Sequence, residues 1–133
     1  MFKLPLDQRL NFWLNFRRKL EQSNNPIQET WELWSSAPFV PNNHNIDPYH
    51  SNSWPSPWEI ILQNIYDDFT KALMISWTLK MTEIGKNWNI EIHTVVDNQR
   101  KRQYNLVYIE NNWVLNFQDQ GPVDKKMIPE SFN

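Results

Sequence analysis

The side chains able to do chemistry are few and scattered. His44, Asp47 and His50 fall within seven residues of one polar stretch, and imidazoles and carboxylates are competent metal ligands. Their spacing matches no standard zinc motif, so they read as ordinary loop polarity, and neither metal nor cofactor is expected. Asp67 and Asp68 are adjacent carboxylates, the side-chain type that general acid and base catalysis uses. In a helix, neighbours point about 100° apart, so only one can face a given cleft. Complementing the positive end of a helix accounts for the pair better. His93 stands two residues after Glu91 on the polar side of an alternating segment, where a surface histidine is the default.

What is missing is more decisive. The 133 residues include no cysteine and only two glycines. Thiol nucleophiles and disulfides are therefore excluded. No Gly-x-Ser-x-Gly elbow occurs, and neither a phosphate-cradling loop nor a dinucleotide fingerprint can be built without glycine's backbone freedom. The expectation is a protein that is not an enzyme, with no catalytic residues. A net charge of −2 and a pI near 5.9 supply no global field for nucleic acid or anionic lipid. Two basic runs, Arg17-Arg18-Lys19 and Arg100-Lys101-Arg102, are short and flanked by acids or amides, and read as a solvated helix face and a solvated turn. No run of about 18 uncharged apolar residues is present, so no membrane span is expected. Met1 to Asp7 has no signal-peptide pattern. These features lead to the expectation of an intracellular protein rather than a secreted one.

The elements that must position these groups read as one α+β domain. A helix over about 7–22 carries Leu6, Leu10, Trp13, Leu14 and Leu20 opposite Arg9, Arg18 and Lys19, with Asp7 as its cap. A second, over 26–34, starts on Pro26. The stretch 35–54 has three prolines among asparagines and no period, which marks an ordered wrap or an interaction surface. Ser56-Pro57-Trp58-Glu59 is a capping box opening a helix over 57–63. Asn64 would then cap a core helix over 65–84, ended by Gly85, whose apolar residues cover most of its circumference and so predict burial. Alternation predicts strands over 88–96, 103–110 and 113–117, with Asn111-Asn112 as a hairpin turn. Trp113, Leu115 and Phe117 would share one face. The tail 118–133 would fold back through Met127, Ile128 and Phe132. The architecture is N-terminal helices and a buried core helix packed on a three-stranded antiparallel meander.

That order of elements, with Tyr66-Asp67-Asp68-Phe69 opening the core helix, Tyr104 opening the second strand and Asn111-Asn112-Trp113-Val114-Leu115-Asn116 after it, resembles the core of transglutaminase-like proteins from about Pro55 to Phe117. The resemblance implies a catalytic Cys at the helix start, a His at the start of the second strand and an acid after the third. Carried over, these fall on Tyr66, Tyr104 and Asn116, and all three roles are lost. The composition, rich in Trp (eight) and Asn (17) and free of Cys, is similar to that of small structural and accessory proteins of contractile-tailed bacteriophages. The expected function is a non-catalytic structural or assembly protein, phage-encoded, that contacts another viral or host protein through Trp31, Trp34, Phe39 and Trp54. A transglutaminase-like pseudoenzyme, a host-directed inhibitor and an unconventional hydrolase or metal-dependent enzyme are the alternatives.

Overall fold

The computed structural model describes residues 1–41, 46–117 and 121–132. Helix α1 (Leu6–Leu20) follows an extended Pro5, which leaves Asp7 in the first turn and not at the cap. Trp13 and Leu20 are its buried residues. Arg9 does not lie on a solvated face. Its guanidinium donates to Ile61 O (3.0 Å), Leu62 O and Leu4 O. Helix α2 (Pro26–Ser35) begins on Pro26. Helix α3 (Pro57–Gln63) starts at Ser56, whose hydroxyl accepts from the Glu59 N–H. Ile61 and Leu62 are among its last residues, whose carbonyls have no partner within a helix, so Arg9 supplies one.

Asn64 ends α3 and does not begin the next helix. Its backbone is left-handed, with φ 56°, and its side chain donates to Phe2 O at 2.9 Å. Tyr66 is extended and bridges the Phe39 segment, its carbonyl accepting from Val40 N–H at 2.9 Å. Helix α4 (Asp68–Lys80) is therefore shorter than the expected core helix. It is capped by Asp67, whose Oδ1 accepts from both the N–H and the hydroxyl of Thr70. At its far end a Cβ on Gly85 would stand 2.2 Å from Leu79 O. Only glycine allows this close approach of the chain to the helix terminus.

The sheet runs β1 (Ile90–Asp97), β2 (Arg102–Ile109), β3 (Trp113–Leu115) and β4 (Val123–Asp124), antiparallel and in that order. The class is α+β, as the sequence implies, with a fourth short strand contributed by the tail. The left-handed residues of the β2–β3 turn are Glu110 and Asn111, one position earlier than the Asn-Asn pair suggests. Ile90, Val107, Ile109 and Leu115 join Trp13, Trp34, Ile61, Phe69 and Leu73 in the main core. The opposite face carries a second core of Tyr104, Leu106, Val114 and Phe117, covered by Val123, Ile128 and Phe132 of the tail. Trp113, Leu115 and Phe117 do not share a face. Asn116 is left-handed, with φ 69°, and this breaks the period of two. Phe117 thus joins Val114, while Trp113 is left 45% exposed.

Candidate functional site

Three elements meet at the start of α4. Asp68, the first helical residue, accepts at Oδ2 from the Asn105 N–H (3.0 Å) and the Asn105 side-chain amide (2.9 Å). The Asn116 amide donates to Asp68 Oδ1 (3.2 Å), Asp68 O (3.0 Å) and Asn105 O (2.9 Å). Thr94 closes the chain by donating its hydroxyl to Asn105 Oδ1 at 2.8 Å. Burial raises the Asp68 carboxyl above its ordinary value; the Asn105 donors hold it back, neighbouring Asp67 adds to the rise, and Arg102 opposes it. The partners of this carboxylate are amides, which orient a group but do not take up or release protons near neutral pH.

Beside this network lies a cleft of about 530 Å³. Asp68 and Asn116 line it together with Lys71, Arg100 and Arg102, and the rings of Trp31, Phe39, Tyr104 and Phe117 also form its walls. Lys71 Nζ stands 5.5 Å from the Phe39 ring centroid, and Arg102 Cζ stands 4.9 Å from that of Tyr104. Both cations face aromatic rings at the distance of a cation–π contact. A second cleft of about 430 Å³ also borders Asp68 and is lined by Asp67, Gln103, Asn105, Pro41, Pro48 and Tyr49 among others.

Of the four aromatic residues expected at an interface, two meet in the first cleft: Trp31, half-buried, and Phe39, 61% exposed. Trp34 belongs to the core. It is fully buried and donates its indole N–H to the Thr78 hydroxyl at 3.0 Å, so no partner can reach it. Trp54 packs edge to face on Phe69 and donates to Asp47 O at 3.0 Å; it borders a separate groove beside Trp77.

The residues weighed for catalysis are dispersed. Asp47 and His50 pair with each other at 2.8 Å on the surface, and the Tyr49 N–H holds the Asp47 carboxyl below its usual range. His44 lies outside the described residues. His93 pairs with Glu91 at 3.1 Å on an exposed strand. Among the described residues, no three His, Cys, Asp or Glu side chains gather as a metal site. Tyr66 is buried against Phe2 and Trp34. Its hydroxyl lacks a hydrogen-bond partner among the described residues and is pushed up to about 12 by burial. Tyr104 stacks on Phe132 in the second core. Only Asn116, of the three positions carried over from the transglutaminase resemblance, enters the network. The helix start and the second strand contribute Asp68 and Asn105 instead.

Asn105 carries no motif of its own in the sequence, where Arg100 and Arg102 have the look of a solvated turn. A signal for Asn105 existed. It shares the inward register with Val107 and Ile109, and a polar side chain on an apolar face marks a buried hydrogen-bond network. The chain matches no family model, no curated protein and no solved structure.

Proposed function

We propose that this protein is a non-catalytic structural or assembly protein that holds another protein in the cleft beside Asp68. The observation that supports this reading is the network itself. Where the start of the core helix meets two strands, the network is built, among the described residues, from the Asp68 carboxylate, two asparagine amides and the Thr94 hydroxyl. The Thr70 hydroxyl that bonds the Asp67 carboxylate beside it is fully buried, out of a substrate's reach. The same site offers exposed Phe39 and half-buried Trp31, ring types that commonly anchor protein interfaces. The Asn- and Trp-rich composition supports a phage-encoded origin, with a viral or host partner.

A second reading, a transglutaminase-like pseudoenzyme, draws support from one geometric fact. The helix start, the second strand and the end of the third strand converge through Asp68, Asn105 and Asn116, while no thiol or imidazole lies among them. The two readings are compatible, since a cleft without chemistry can still bind.

The test couples binding to turnover. Trp31→Ala with Phe39→Ala should abolish co-purification of a stoichiometric partner and leave the circular dichroism spectrum unchanged. Turnover of amide or ester model substrates that disappears in Asp68→Asn would overturn the non-catalytic reading. Mass spectrometry of purified particles checks the virion version, which requires detection at fixed copy number.

A further inference from the structure

The charge of the cleft runs against the charge of the chain. The protein carries a net −2, yet Lys71, Arg100 and Arg102 converge on one cleft where, among the described residues, Asp68 is the lining carboxylate. The Arg100 side chain is 75% exposed, and its Nε lies at the long distance of 3.9 Å from Asp97, so most of its donors face solvent. A guanidinium is a planar fork that binds a carboxylate through two parallel hydrogen bonds. Phe39 and Trp31 supply apolar surface next to these cations.

From this arrangement, and resting on the protein-binding reading above, we infer that the cleft receives an acidic peptide segment of the partner, its carboxylate between Lys71 and the two arginines and a neighbouring apolar side chain against Trp31 and Phe39. The adjoining cleft favours a peptide over a nucleic-acid strand. Among the described residues it is lined by Asp67 and Asp68 and by no Lys or Arg. A phosphate backbone repeats its charge at every nucleotide and needs a continuous cationic track. Leaving the first cleft on this side, it would meet two carboxylates. A peptide places its acidic residue in the cationic cleft and runs on past them with neutral or basic residues.

The experiment selects short random peptides on the full chain and then measures the selected sequence, labelled with a fluorophore, by anisotropy. The expected result is enrichment of Asp or Glu beside an aromatic or aliphatic residue. Arg100→Gln with Arg102→Gln should weaken that peptide about tenfold or more, and binding should fall with added salt. Should the double variant misfold by circular dichroism, Arg100→Gln alone, at an exposed position, is expected to show a loss of several-fold. Enrichment of neutral sequences indifferent to both arginine changes would overturn the acidic-peptide assignment and leave protein binding standing. Enrichment of no sequence at all would remove both. Displacement of the peptide by an equimolar single-stranded oligonucleotide would overturn the peptide in favour of a nucleic acid.

Discussion

The two ends of α4 handle buried polarity in opposite ways. Near its C-terminal end, the Thr78 hydroxyl accepts from the indole N–H groups of Trp13 and Trp34, each at 3.0 Å, and donates to Met74 O at 2.6 Å. All three residues are buried, and the node joins α1, α2 and α4 into one core. At the N-terminal end, Asp68 also collects donors from two other elements, but it lies on the wall of a cleft beside three cations. One node uses a neutral hydroxyl whose bonding is complete within the fold. The other keeps a carboxylate where desolvation opposes its charge, an arrangement that favours a site over stability.

Changes at the Thr78 node should have the largest effects on stability. Trp34→Ala removes a fully buried ring and is expected to cost about 3–5 kcal/mol in denaturant titration. Thr78→Val keeps the shape but orphans two indole donors, with an expected loss of roughly 2–4 kcal/mol. Neither should change peptide affinity in the fraction that remains folded. A comparable loss of affinity would erase the distinction between the two ends. At the cleft, Asn116→Ala removes the amide and also forces a left-handed backbone on alanine, while Asn116→Gly removes only the amide. The glycine variant should therefore be the more stable of the two by about 1–2 kcal/mol. Equal stabilities would mean that the backbone of residue 116 relaxes.

The pH dependence sharpens the contrast further. Burial raises the Asp68 carboxyl above its ordinary 3.8 when folded. The stabilisation linked to its protonation is therefore fully present below 3.8 and is lost as pH rises through the raised folded value. Relative to Asp68→Asn, the wild type should gain stability as pH is lowered towards 3.8, and a difference that stays flat would contradict the raised value. The smallest effect is expected at His93→Ala. That side chain is exposed, away from both nodes, and neither the melting temperature nor peptide binding should move.

Much of the fold is legible because it rests on local rules. Ser56 and Pro57 place the start of α3 by cap chemistry alone, and alternation finds β1 and β2 to within two residues. The start of α4 is not legible locally. Asn64 and Asp67 can each cap a helix, and the choice between them is made by Tyr66 pairing with Val40, a contact 26 positions distant in the chain. The face of Phe117 is lost for a similar reason, since only the positive φ of Asn116 reveals the break in period. The site was less visible still. Its network joins residues 68, 105 and 116 through the tertiary fold, and two of its three cations, Arg100 and Arg102, sit in a run whose sequence context is that of any solvated turn.

The shared Thr78 hydroxyl also gives the protein a built-in clock for global opening. Two indole protons, on separate helices, are sealed by the same oxygen, so neither can exchange with heavy water until α1 and α2 part from α4. Their resonances should persist together and vanish together, at a rate set by unfolding of the whole domain rather than by fraying of either helix.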